Sequence, residues 1–214
     1  MARTPGLLRN PARPALTGPA VSAKMGELHN FSMRRQEHTN WCWAAVAQAV
    51  ERHRGKVRTQ QEIATMHRRK HQNGLTCDMV NPGDVSGDEC DPKNCNAACN
   101  GKHAVANVLL DLGHWTNTQA SYIEEYRSSR DIIFSSILTE IDANRPIPVR
   151  MRIYGGHFIC ITGYVDNGED SRWVTVWDPA PVGKGLASSR QLRFEELWRY
   201  KFDLGVITHL FFVS

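Results

Sequence analysis

An α+β fold, helices first and a sheet afterwards, is predicted by three observations on this sequence. Four segments before residue 145 carry helix signals, a cap, a stop or apolar residues at helical spacing. From residue 146 the chain becomes rich in Val, Ile, Phe, Trp and Tyr in short runs. Glycine and asparagine separate those runs where turns are needed. A chain of 214 residues with 41% hydrophobic and 22% charged residues suits one globular unit. No apolar run approaches the roughly 18 residues required to cross a bilayer, so no membrane span is expected.

The first helix is expected over 41–54. Asn40 is a capping residue, Ala44, Ala45, Val46, Ala47, Ala49 and Val50 follow it, and Gly55 offers a left-handed stop. So many alanines make a slim helix that neighbours approach closely, which suits the interior of a domain. Thr59 followed by Glu62 matches a capping box and opens a second helix over 60–70. Residues 71–101 hold Gly, Pro, Asn, Asp and four cysteines without period and read as loop. A third helix fits 102–112, with Val105, Val108, Leu109 and Leu112 on one side and Gly113 closing it. Ile133, Phe134, Ile137, Leu138 and Ile141 give a fourth over 130–143, ending before Pro146. Strands are expected at 147–154, 157–166, 172–178 and 205–213, with Asn167 and Gly168 turning the chain between the second and third. The helical half, about 31–145, and the sheet half, about 146–214, would meet at a cleft.

The net charge of +4 is local. Residues 1–35 hold Arg3, Arg9, Arg13, Lys24, Arg34 and Arg35 against Glu27, a local +5 that leaves the rest near −1. The body therefore has no excess of positive charge to track a phosphate backbone, and nucleic acid is not an expected partner. Residues 1–30, with Pro5, Pro11, Pro14, Pro19, Gly6 and Gly18 and no period, read as a flexible basic arm. Pro14, Gly18 and Pro19 break the only apolar stretch that could serve as a secretory signal, so a conventional signal peptide is not expected.

Cys42 falls in the first turn of the first helix. Free backbone N–H groups and the helix dipole there favour negative charge, and the thiolate is the nucleophilic form of cysteine. The competing account is a small buried hydrophobe, which leaves Gln36 and the flanking Trp41 and Trp43 unexplained. His157 follows Gly155 and Gly156 and opens the apolar run Phe158 to Tyr164, a placement that suits a general base at the mouth of a buried strand. Asp178 ends the next strand. Its contact with His157 requires the opposite ends of the two strands to be adjacent in space, a register the sequence does not fix; the chemical need is for an acceptor on the second ring nitrogen, which fixes the tautomer and stabilises the imidazolium.

Gln36, five residues before Cys42, with Trp43 and Ala44 after it, resembles the oxyanion glutamine and nucleophile segment of papain-like cysteine proteases. The run Asn40, Trp41, Cys42, Trp43, Ala44, Ala45 is similar to papain-like effector proteases delivered by bacterial pathogens. His157-Phe158-Ile159 leading to Gly163-Tyr164, then Val176 and Asp178-Pro179-Ala180, resembles the His and Asp blocks of peptidases that trim bacteriocin leaders at a double glycine. The resemblance covers about residues 31–200. It implies a papain-like catalytic domain, Cys42 as nucleophile, His157 as base, Asp178 as the residue orienting it and Gln36 as an oxyanion donor beside the Cys42 backbone N–H. Papain itself has Asn as the third member, whereas Asp178 matches the effector and bacteriocin branches. The implied activity is hydrolysis of protein or peptide substrates by a monomer without cofactor or metal. The implied location is outside a bacterial cell, reached without a conventional signal, with the cytoplasm as the alternative.

Cys77, Cys90, Cys95 and Cys99 could form two disulfides in any of three pairings, bind zinc with His103, or remain thiols. Their gaps lack the paired C-x-x-C spacing of zinc knuckles. Cys160, inside a strand, is expected to be a core thiol. Trp41, Trp43, Trp115 and Trp177 could line a subsite, although large aromatics belong more often to cores. The same triad chemistry would also serve a deamidase, an acyltransferase or a peptidoglycan amidase. A cysteine-rich binding module without catalysis is the non-enzymatic alternative.

Overall fold

The computed structural model describes residues 23–71, 104–114, 130–152, 156–168, 171–199 and 206–213. In chain order the elements are β1 (Lys24–Glu27), α1 (Cys42–His53), α2 (Gln60–His71), α3 (Val105–Asp111), α4 (Arg130–Asp142), β2 (Ile147–Arg152), β3 (His157–Asp166), β4 (Arg172–Asp178), β5 (Ser188–Arg193), a 3-10 helix over Phe194–Arg199, and β6 (Val206–Leu210). The fold is α+β, as the sequence predicts, and agrees with a papain-like architecture. All pairings between named strands are antiparallel, in the order β5-β4-β3-β2-β6, with β1 added alongside β3.

The sheet is buried on both faces. Phe158 and Cys160 of β3 join α1, α2 and α3 in one apolar cluster, while Ile159 and Ile161 join α4, Val174 and Val176 in another. The alternation of side chains along a strand sends neighbours to opposite faces, which is why β3 reads as an unbroken apolar run rather than an alternating one. Phe31 packs against both clusters. α4 presents Ile133, Phe134, Ile137 and Ile141 to the sheet, so its packing joins it to the sheet half and not to the helical half in which the sequence order places it.

α1 is buried from Cys42 through Glu51, the setting its alanines foretell. Gly55 stops it at φ +76°, and the Lys56 N–H bonds back to the Glu51 carbonyl at 2.9 Å. The N-terminus differs from expectation. Trp41, not Asn40, occupies the cap position and makes no side-chain cap bond; a turn in which the Trp41 N–H meets the His38 carbonyl at 3.1 Å leads into the helix instead. α2 opens with the expected capping box, the Glu62 N–H on Thr59 Oγ1 at 3.1 Å and the Thr59 N–H on Glu62 Oε2 at 2.7 Å.

The end of the basic arm is part of the fold. Lys24 to Glu27 pair with Asp166 to Gly163 of β3, Leu28 is buried, and its N–H reaches the Thr162 carbonyl at 2.8 Å. The boundary expected at residue 30 therefore lies too late; residues 1–22, and the Cys-rich stretch with Cys77, Cys90, Cys95 and Cys99, lie outside the described residues. β1 is possible because Gly26 has no side chain. A Cβ there would lie 2.6 Å from the Tyr164 ring, whose hydroxyl donates to Asp142 Oδ1 at 2.8 Å.

Replacing Gly26 with Val should force β1 away from Tyr164 and lower the unfolding free energy by about 1–3 kcal/mol. Urea unfolding followed by circular dichroism measures this; an unchanged midpoint would mean that β1 contributes nothing to the folded domain.

Candidate active site

In the β3–β4 hairpin Cys160 lies opposite Trp177 and Ile161 opposite Val176. The first residue of β3 and the last of β4 consequently meet at the end away from the turn. There His157 Nε2 lies 2.7 Å from Asp178 Oδ1. The same carboxylate oxygen accepts the Ala180 N–H at 2.9 Å, which holds its rotamer. α1 packs across β3 on the other side, and its first residue, Cys42, hydrogen-bonds His157 through its sulfur. Since Nε2 is taken by Asp178, Nδ1 is the ring atom left for the sulfur. Cys42, His157 and Asp178, from three separate elements, thus form one continuous chain of contacts.

Both ends of that chain are withdrawn from water, Cys42 being 7% and Asp178 5% exposed. Burial of the imidazole would favour its neutral form, yet hydrogen bonds and charge from Asp178 and Cys42 outweigh this and lift His157 to about 9. The ring is therefore an imidazolium at neutral pH. Cys160 differs: fully buried, it donates weakly to the Ile161 carbonyl at 3.7 Å, and burial pushes its thiol far up. It is a core thiol, as expected.

The approach to Cys42 is fastened to the segment after Asp178. The Gln36 N–H bonds the Pro179 carbonyl at 2.9 Å, the Gly183 N–H bonds the Gln36 carbonyl at 3.0 Å, and the Arg35 N–H bonds the Gly185 carbonyl at 3.1 Å. Gln36 is thus beside the site, but its side chain is engaged otherwise than an oxyanion donor requires. Nε2 donates to the carbonyls of His38 and Thr39 at 2.9 and 2.8 Å, while Oε1 is buried without a partner. Flipping the amide would set an oxygen against two carbonyls, so the donors face the loop. Gln36 braces the turn that begins α1.

Two further amides were not singled out by the sequence reading. Gln60 of α2, fully buried, donates to the Arg35 carbonyl at 2.8 Å and accepts the Glu37 N–H at 3.0 Å, gripping the backbone on both sides of Gln36. Gln48 of α1 meets Gln60 at 3.4 Å and donates to the Arg58 carbonyl at 2.8 Å. The signal for Gln48 is a polar residue inside an otherwise apolar helical run. Trp41 and Trp43 are core residues, 1% exposed, while Trp177 is partly buried against Phe31; Trp115 lies outside the described residues. Among the described residues no three His, Cys, Asp or Glu side chains converge as metal ligands.

The sequence profile of the Peptidase_C39 like family matches residues 28–201, a span that contains Gln36, Cys42, His157 and Asp178. No curated protein and no solved structure gives a significant match.

The raised His157 value has a consequence for stability. A folded value of about 9 against an ordinary 6.5 means that the protonated ring stabilises the fold fully below about 6.5, and that this contribution is lost as pH rises through about 9. Ring NMR should show His157 titrating near 9, and Asp178→Asn should move it toward the ordinary range. The variant should also lose less stability than the parent between pH 6 and 10; equal losses would show that Asp178 does not hold the proton.

Proposed function

The chain belongs to the Peptidase_C39 like family, whose membership points to cysteine peptidase activity, and from that premise we propose that it hydrolyses peptide bonds with Cys42 as nucleophile. The contiguity of the Cys42 sulfur, the His157 ring and the Asp178 carboxylate is the observation that supports this reading. In the first step the sulfur attacks the scissile carbonyl carbon, and the thiol proton resides on His157 Nδ1. The imidazolium then gives that proton to the leaving amine, the C–N bond breaks, and an acyl thioester remains. Water attacks the thioester carbon, His157 takes its proton, and the C–S bond breaks to release the acid, leaving the sulfur anion and protonated ring with which the cycle began. Asp178 keeps the ring oriented and its positive form stable throughout.

The oxyanion needs donors. The first N–H groups of a helix have no intrahelical acceptor, so the Cys42 backbone N–H supplies one. Gln36 supplies the second only by turning an N–H away from His38 or Thr39, and a donor of this kind is worth about 10²- to 10³-fold in rate. The similarity of residues 40–45 to effector proteases supports a site of action outside the producing cell.

Cys42→Ala should lower peptide hydrolysis by about 10³-fold or more, and His157→Ala by a comparable factor. Digestion of casein, read by mass spectrometry of the products, measures both. A pure Cys42→Ala protein that still cuts would end the proposal. Cys42-dependent release of ammonia, or cross-linking without fragments, would replace it with a deamidase or acyltransferase using the same residues. The rate should also fall on the alkaline side as His157 loses its proton near 9.

A further inference from the structure

At the end of the sheet that carries His157 and Asp178, the strands lie in the order β4, β3, β2, β6. Arg150 of β2 is opposite Phe158 of β3 on one side and His209 of β6 on the other. Residues directly opposite one another in antiparallel strands share a face. Phe158 belongs to the apolar cluster that contains Cys42. Arg150 therefore stands on the face that α1 covers, one strand beyond His157, on the side away from Asp178.

Among the described residues its guanidinium has few partners. Nη1 donates to Thr208 Oγ1 at 3.2 Å, and the rest of the group lies over Gly156, the residue before His157. A Cβ at Gly156 would be 3.6 Å from Nη2 and 3.7 Å from Nε, so the guanidinium lies directly beside the residue that precedes His157. Three other arginines of the domain have carboxylates: Arg145 has Glu140 at 2.7 Å, Arg172 has Asp131, and Arg58 has Glu51. No carboxylate among the described residues pairs with Arg150. The positive charge is felt next door, where burial and then Arg150 push the His209 imidazole down.

A partly buried guanidinium with unused donors fits a carboxylate, which it can grip with two parallel N–H groups. Resting on the proposed roles of Cys42 and His157, we infer that Arg150 determines specificity by binding an Asp or Glu side chain of the substrate close to the scissile bond. The neighbouring strand is about 4.8 Å away, and an extended substrate advances about 3.3 Å per residue. The acidic residue accordingly lies within about two residues of the cut.

The test is a peptide library in which Asp and Glu, with their Asn and Gln twins, are scanned across both sides of the cleavage point. The full chain and its Arg150→Met, Arg150→Lys and Arg150→Glu variants are compared. The parent should favour the acid over its amide twin by about ten- to a hundredfold in kcat/KM at one position, and the ratio should shrink as salt is raised. Arg150→Met should bring the ratio to about one, Arg150→Lys should keep part of it, and Arg150→Glu should invert it. Equal cleavage of acid and amide twins by the parent overturns the inference, and this needs no variant to fold. A preference that survives in Arg150→Met overturns it as well. Absence of any Cys42-dependent cleavage overturns the peptidase reading and this inference with it, whereas cleavage indifferent to acidic residues overturns this one alone.

Discussion

The register of the β3–β4 hairpin is the constraint on which the site depends. His157 and Asp178 touch because they stand at the open end of two strands joined by a short turn, in which the Ser171 N–H reaches the Gly168 carbonyl at 2.9 Å. A slip of one residue would exchange the faces of every side chain in a strand. In β3 that would put Phe158 and Cys160 where Ile159 and Ile161 now lie. Because each pair fills a different core, one under α1 and the other under α4, the slip would disturb packing on both faces at once. The helices on either side therefore specify the distance between the imidazole and the carboxylate.

Withdrawing Asp178 from water is costly unless its charge is met. The imidazolium and the Ala180 N–H meet it, and the result is a proton held on His157 to an unusually high pH. The helical layer answers the same problem in the same way. Glu51, fully buried on α1, is met by Arg58, by His114 beyond the end of α3, and by Lys56 at 3.7 Å. Asp111 on α3 is met by His67 at 2.7 Å and Lys70 at 2.6 Å, both from α2. These pairs join α1, α2 and α3, and stripping either buried carboxylate of its partners would leave a charge uncompensated, which commonly costs more than an intact pair contributes.

Several local rules in the sequence were followed, though not the cap expected at Asn40. The capping box at Thr59 and Glu62, the stop at Gly55, and β3 and β4 at 157–166 and 172–178 lie where period and turn residues place them. Cys42, His157 and Asp178 were each singled out by local context in the sequence, but that they meet rests on the register of β3 with β4, which the sequence does not fix. What it did not mark depends on partners far along the chain. β1 is four residues long with a glycine and two charges, and it exists because Tyr164 leaves room for Gly26. β5 is polar and mostly exposed, so it has no apolar signal, and only pairing with β4 makes it a strand. Gln60 resembles any first-turn residue until the backbone of Arg35 and Glu37 is seen to close on it.

The orientation of Gln36 follows from the missing cap on α1. With Trp41 at the cap position, the cap residue makes no side-chain bond to the first turn of the helix. The turn that precedes it must then be held from elsewhere. Gln36 ties its carbonyls from within, Gln60 holds the backbone around Gln36, and Gln48 connects Gln60 to α1 itself. A capping side chain would have stabilised the helix by about 1 kcal/mol while occupying donors that a developing oxyanion could use. Three amides acting at a distance hold the helix start where the cap residue itself does not.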